Sequence, residues 1–106
     1  MKIWPKGVDA WPIVANFDVY ESDIFLDEVK KIRSSHFPKI LQKLKQYFYP
    51  QLSLNPFGGP QIKALKNWAP STWRLRIGEW RFFYRIDMPR RQVWITGVRL
   101  RRDAYR

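Results

Sequence analysis

Between Trp73 and Asp87 the chain alternates apolar and polar residues with a period of two, broken once by Gly78-Glu79. Trp73, Leu75 and Ile77 alternate with Arg74 and Arg76. After the break, Trp80, Phe82, Tyr84 and Ile86 alternate with Arg81, Phe83, Arg85 and Asp87. Period-two alternation puts successive side chains on opposite faces of a strand, and a glycine opening a two-residue turn suits a tight hairpin. With Gly78 and Glu79 as the turn, Ile77 lies opposite Trp80, Arg76 opposite Arg81, Leu75 opposite Phe82 and Arg74 opposite Phe83. A slip of one residue would exchange the faces, so the register is tightly specified. One face of this hairpin is apolar and needs a layer of other elements over it. The other carries arginines.

The preceding segments supply that layer. Trp4-Pro5 and Trp11-Pro12 disfavour regular structure and predict an irregular arm over residues 1–12. Ile13 to Val19 reads as a short strand with Ile13, Ala15, Phe17 and Val19 on one face. A helix follows, with Glu21, Ser22 and Asp23 at its start and Lys30, Lys31 and Arg33 at its end, charges that suit the helix dipole. Phe25, Val29 and Ile32 form its apolar stripe, with Leu26 beside them. Ser34-Ser35-His36 marks a break. A second helix begins near Pro38, with Ile40, Leu41, Leu44, Tyr47 and Phe48 as its stripe, and Pro50 ends or kinks it. The stripe can resume through Leu52 and Leu54. Asn55 to Pro60 is a loop, Ile62 to Leu65 is ambiguous, and Asn67 to Thr72 is a turn region. Asp87 to Arg91 turns into a third strand, Gln92 to Val98. The expected class is α+β: a short N-terminal strand, a two-helix hairpin, then a three-stranded antiparallel meander packed on the helices. The length of 106 residues suits one domain, 1–106.

Composition excludes several chemistries. The sequence has no Cys and one His, His36, which removes disulfides, thiolate zinc sites, a Cys nucleophile and any multi-histidine metal site. No apolar run approaches the roughly 18 residues needed to span a bilayer. Trp4 to Asp9 interrupts any signal-peptide core, so the expected location is the cytoplasm. The formal net charge is +11, and it is unevenly placed. Residues 1–60 hold eight basic and six acidic residues, whereas residues 61–106 hold twelve and three. Ten of the eleven arginines follow residue 73, and seven of the nine lysines precede residue 61. The arginine fork suits phosphate, so the second half points to a polyanionic partner.

Like charges facing each other across a hairpin are unfavourable. Arg76 opposite Arg81, with Arg74 and Arg85 on the same face, therefore suggests an anion site, most simply a phosphate backbone, with Phe83 placed to stack on a base. A merely solvated strand face is the plainer alternative. Arg99, Arg101, Arg102, Tyr105 and Arg106 extend the basic character to the C-terminus. Taken alone, Tyr105 reads as a terminal aromatic over a core edge.

The stretch Trp73-Arg-Leu-Arg-Ile-Gly-Glu-Trp-Arg-Phe-Phe-Tyr-Arg-Ile-Asp87 resembles the central hairpin of the RelE/ParE toxin superfamily, whose fold is of the microbial-ribonuclease type. The ending Arg101-Arg-Asp-Ala-Tyr-Arg106 and the approach Leu54-Asn-Pro-Phe-Gly-Gly with Ile62-Lys-Ala-Leu65 are similar too. The resemblance covers roughly residues 13–106 and is specific in the hairpin. It implies a toxin held inactive by a cognate antitoxin. RelE-like members cut messenger RNA, typically in the ribosomal A site, and ParE-like members inhibit DNA gyrase. By position, Arg74 and Arg76 match the first basic pair, Arg81 the arginine of the following strand, and Arg101 the arginine after the last strand. Tyr105 is near the terminal catalytic aromatic. The implied reaction is transesterification by the RNA 2′-OH without metal or other cofactor. Arg81 with Arg74 or Arg76 would stabilise the phosphorane, and Tyr105 would be the general acid. RNA contacts would fall to Arg85, Phe83, Arg99 and Arg102. The general base stays unassigned: arginine is a poor base, Glu79 is at the turn tip, Asp103 is more suited to pairing with an arginine, and His36 has no role. The sequence departs from the family where Arg99-Leu100 stands in place of Gly-His or Gly-Lys, where arginines replace lysines, and in its longer N-terminal arm. Three functions are in view: an mRNA endonuclease, a non-enzymatic gyrase inhibitor, and a basic nucleic-acid-binding domain without toxicity. No membrane partner is expected.

Overall fold

The computed structural model describes residues 2–4 and 16–103. In chain order these form β1 (Lys2–Trp4), β2 (Asp18–Glu21), α1 (Asp23–Lys31) and α2 (Phe37–Lys43). A π-helical turn (Leu44–Phe48) continues α2 into α3 (Tyr49–Leu54). Then come β3 (Ile62–Ala64), β4 (Trp73–Ile77), β5 (Trp80–Asp87), β6 (Gln92–Leu100) and a 3₁₀ turn (Arg101–Asp103). The strands make one sheet in the order β1-β2-β6-β5-β4-β3. Among the described residues, only the β2–β6 pair is parallel.

The α+β class agrees with the sequence reading, and the hairpin has the expected register: Ile77 opposite Trp80, Leu75 opposite Phe82, Arg76 opposite Arg81 and Arg74 opposite Phe83. The sheet itself is larger than the expected three-stranded meander. Lys2 to Trp4 of the supposed irregular arm pairs with β2, and Ile62 to Ala64 of the ambiguous stretch pairs with β4. Both are three-residue edge strands, too short to display a period. The rest of the arm, with Ile13 and Ala15, lies outside the described residues. The early strand runs to Glu21, so this residue ends β2 instead of starting α1, and Ser22 is the helix N-cap, its hydroxyl accepting from the Phe25 amide at 3.1 Å.

The second helix does not end at Pro50. Proline in a helix lacks a donor and its ring crowds the carbonyl four residues back, here that of Gln46. The π turn widens the helix at this point, and Tyr49 N–H bonds to Leu44 O, five residues back. The same turn puts Leu44 and Tyr49 both in the core, while Tyr47, expected on the stripe, is 67% exposed and Leu54 is also exposed.

The core lies between the helices and one sheet face. Leu75, Ile77, Trp80, Phe82, Tyr84, Val93, Ile95 and Val98 come from β4 to β6, and Phe25, Phe37, Leu44 and Leu52 from the helices. Phe37 sits on Trp80 and Phe82 with ring centroids 4.8 and 6.3 Å apart. Each such side chain contributes about 1.5–3 kcal/mol by leaving water. Two buried phenols tie the layers together. Tyr84 donates to the Pro56 carbonyl at 2.6 Å, holding the 55–60 loop on β5. Tyr49 donates to the Glu21 carboxylate at 2.8 Å, with the Lys45 ammonium 3.8 Å from the same oxygen. Among the described residues, no helix is long and apolar enough to cross a membrane.

Burial pushes both phenols well above the usual tyrosine range, and Tyr49 further because the Glu21 carboxylate faces it. In the unfolded chain they ionise near pH ~10, while in the folded state they keep their protons. The stabilisation is therefore complete below that pH and falls as pH rises above it, by up to about 1.4 kcal/mol per pH unit for each group. Urea unfolding at a series of alkaline pH values should show this decline, and Tyr84→Phe should remove one tyrosine's share of the slope.

Candidate nucleic-acid interface

The sheet face turned away from the helices carries the arginines, arranged in rows by strand register. Arg76, Arg81 and Arg99 face one another across β4, β5 and β6. The next row is Lys63, Arg74, Phe83 and Gly97. A bulge follows, because the partner of β5 steps from Gly97 to Ile95 between Phe83 and Tyr84, leaving Thr96 as the extra residue. The bulge brings Trp94 onto the open face. Trp94 pairs with Arg85 on one side and Tyr20 on the other.

The like charges at the hairpin tip are managed by burial of one of them. Arg81 is only 5% exposed. Its guanidinium folds back over the turn and donates to the carbonyls of Gly78 at 3.0 Å and Trp80 at 3.2 Å. Carbonyl dipoles thus face its charge, while Arg76 extends into solvent. Of the two, Arg76 is the one able to meet a large ligand directly. Arg74 is half-buried and Arg85 exposed.

Arg99 is held by a residue the sequence reading passed over. β2 pairs with β6 only along residues 92–95, so the edge of β6 beyond Ile95 is open to α1. Glu28 of α1 occupies that edge. Its carboxylate accepts from the Val98 amide at 2.9 Å and pairs with the Arg99 guanidinium. Arg99 also donates to the Val98 carbonyl at 2.7 Å. A Cβ on Gly97 would stand 3.1 Å from Glu28 Oε1, so the glycine leaves room for this contact.

Phe83 is buried, and Trp68 of the 66–72 segment lies on it, ring centroids 5.4 Å apart and planes 24° from parallel. Trp68 is 42% exposed. The aromatic surface offered beside Arg74 is therefore that of Trp68. The signal available in the sequence was a tryptophan in a polar turn just ahead of a basic strand. Trp94 and Tyr20 make a second, half-buried stack, with centroids 4.7 Å apart and planes at 15°.

Beyond β6, the Arg101 amide donates to the Glu79 carbonyl at 2.7 Å, docking the 3₁₀ turn on the hairpin tip. Arg101, Arg102 and Glu79 are exposed. Tyr105 lies outside the described residues. His36 precedes α2 and is exposed, away from this face. Among the described residues, no three His, Cys, Asp or Glu side chains gather in a metal-holding group.

No protein-family model matches the chain, and no curated protein sequence matches it. Solved structures do. The toxin–antitoxin complex RelBE2 from Mycobacterium tuberculosis contains a chain 26% identical, with a TM-score of 0.64, over 83% of this chain and 100% of that one. The RelE–RelB complex from Pyrococcus horikoshii matches at 16% identity and TM-score 0.60, over 84% and 99% of the two chains. The RelB–RelE complex from Methanococcus jannaschii matches at 19% and 0.59, over 80% and 93%. The chain therefore has the fold of a RelE-like toxin.

The two arginines at the tip should respond differently to substitution. Arg81→Lys loses the guanidinium's hydrogen bonds to the Gly78 and Trp80 carbonyls and should cost about 1–3 kcal/mol. Arg76→Ala should change stability by no more than about 0.5 kcal/mol. Urea unfolding of the two variants beside the parent checks both.

Proposed function

We propose that the chain is the toxin of a toxin–antitoxin pair and acts as an endoribonuclease on messenger RNA bound at the ribosome. The observation that carries this reading is the row Arg76, Arg81, Arg99, set across the open face of a RelE-like sheet with Arg74 in the row beside it. Clustered guanidinium groups on a solvent-facing sheet offer a cradle for a phosphate that gains charge during reaction. The three similar structures named above are all complexes with an antitoxin, which supports a cognate antitoxin as the protein partner.

In the proposed reaction the 2′-hydroxyl of one nucleotide loses its proton to a base and attacks the adjacent phosphorus. The bond from phosphorus to the 5′-oxygen breaks, leaving a 2′,3′-cyclic phosphate and a 5′-hydroxyl. Arg76 and Arg101, both exposed, contact the non-bridging phosphate oxygens, with Arg74 beside them. Arg81, anchored to the turn carbonyls, holds the hairpin tip in place and adds its charge from beneath. Tyr105 donates the proton to the leaving 5′-oxygen, a role taken from the family resemblance. Arg85, Arg99 and Arg102 contact the flanking RNA, and Trp68, resting on Phe83, offers a stacking surface for a base.

Primer extension on a defined messenger RNA tests the reading, with the purified protein added to a translating extract and to buffer alone. Discrete cuts that require ribosomes and disappear in Arg76→Ala are expected. Arg76→Ala is a better control than a change at Arg81, because its side chain is exposed and the fold is retained. Absence of cuts in both settings, together with growth arrest on expression and loss of DNA supercoiling activity, would replace this reading with inhibition of gyrase.

A further inference from the structure

The proposed chemistry gives Arg85 a flanking contact and leaves the cleft beside it without an occupant. Below the bulge, Trp94 lines a cleft of about 620 Å³ together with Arg85, Ile86, Asp87, Met88 and Pro89. We infer that this cleft is a second nucleobase subsite, in which an unstacked base of single-stranded RNA packs on Trp94 while an adjoining phosphate pairs with Arg85. The inference rests on the ribonuclease reading and extends it from the scissile phosphate to the flanking substrate.

Four features carry it. The Trp94 ring is fixed before any ligand arrives, backed by Tyr20 and held through its Nε1–H, which donates to Gln92 Oε1 at 3.0 Å. A preset ring loses little freedom on binding. Its one polar donor is already satisfied, so what it offers is a flat surface for stacking, which tolerates any base. Arg85 stands directly opposite on β5, exposed, and makes no hydrogen bond or ion pair among the described residues. The acid in the cleft, Asp87, is occupied by Arg90, whose amide and guanidinium each donate to it at 3.1 Å. Arg85 is thus left to attract an outside anion.

Continuity favours RNA over an acidic peptide. Arg85 follows Phe83 by two residues on the same face of β5, so an aromatic stack beside an arginine occurs twice across this sheet: Trp68 and Phe83 near Arg74, then Tyr20 and Trp94 near Arg85. A strand crossing the face from the hairpin tip meets both stations in turn.

The test uses fluorescent 2′-O-methyl oligoribonucleotides, which lack the free 2′-hydroxyl and stay intact, in dinucleotide and octanucleotide lengths. Anisotropy titrations compare the parent with Arg76→Ala, Arg85→Ala, Trp94→Leu and Trp94→Phe. For the octanucleotide, Arg85→Ala and Trp94→Leu should each weaken binding about tenfold, and Trp94→Phe should restore most of it. Arg85→Ala should also lower the slope of log affinity against log salt by about 0.7, whereas Trp94→Leu should leave that slope unchanged. Dinucleotide binding should respond to Arg76→Ala and to neither cleft change. A loss that Trp94→Phe does not restore would show damage to the sheet and overturn the subsite. If Arg76→Ala weakens the octanucleotide while Arg85→Ala and Trp94→Leu bind as the parent does, the subsite is wrong and the ribonuclease reading stands. If the parent binds no octanucleotide, the subsite falls, and the ribonuclease reading is decided by the primer-extension assay. If Trp94→Leu abolishes binding of an acidic, aromatic-containing peptide and spares the RNA, the cleft belongs to a protein partner and the inference is overturned.

Discussion

The carboxylate of Glu28 joins the helical layer to the arginine face. It accepts the Val98 amide on an otherwise uncovered stretch of β6 and neutralises Arg99 beside it. An unsatisfied edge amide would cost about 1–3 kcal/mol, and an uncompensated Arg99 would add repulsion to a row that already contains Arg76 and Arg81. The helix that supplies Phe25 to the core therefore also sets the charge of the face on the far side of the sheet. Gly97 belongs to the same arrangement, since a larger residue there would press on the carboxylate.

The arginines of the hairpin divide by what their guanidinium groups touch. Arg81 turns one guanidinium nitrogen to the Gly78 and Trp80 carbonyls, and Arg99 turns one to the Glu28 carboxylate and the Val98 carbonyl. Arg76 and Arg85 extend into solvent. Arg76, the extended cation of its row, stands across from Arg81, whose charge the turn carbonyls face, and Arg81 in turn stands across from Arg99, which pairs with Glu28. A sheet can present a dense positive surface in this way without placing bare like charges directly opposite one another.

The hairpin was legible because its cues are local. Alternation fixes the faces, Gly78 fixes the turn, and pairings such as Leu75 with Phe82 follow by counting. The start of α1 near Ser22 and the break at Ser34-Ser35-His36 were legible for the same reason. The parts that escaped depend on partners distant in sequence or on lengths too short to carry a period. Glu28 meets Arg99 across 71 residues, and nothing in α1 distinguishes it from its acidic neighbours Asp23 and Asp27. The edge strands at 2–4 and 62–64 have three residues each. The bulge at Thr96 shifts the parity of β6 and so sets the side of Trp94, and the Arg81 guanidinium folds back onto the turn carbonyls, neither of which alternation alone reveals. Hence the basic surface and Phe83 within it could be anticipated, while the partners that complete its aromatic stacks, Trp68 on Phe83 and Trp94 on Tyr20, were missed.

The π turn bears on how this helix can vary. From Phe37 to Leu44 the buried positions are seven residues apart, two ordinary helical turns. From Leu44 to Tyr49 they are five apart, and then Leu52 and Ser53 resume the usual spacing. One residue has in effect been inserted without disturbing either flank. A relative lacking one residue between 44 and 48 could run a regular helix straight through and still bury the equivalents of Leu44, Tyr49 and Leu52, provided that it also lacked Pro50. An alignment that opens a single-residue gap in this helix would be tracing a geometric detour around a proline ring, where a gap in the middle of a helix is ordinarily a sign of error.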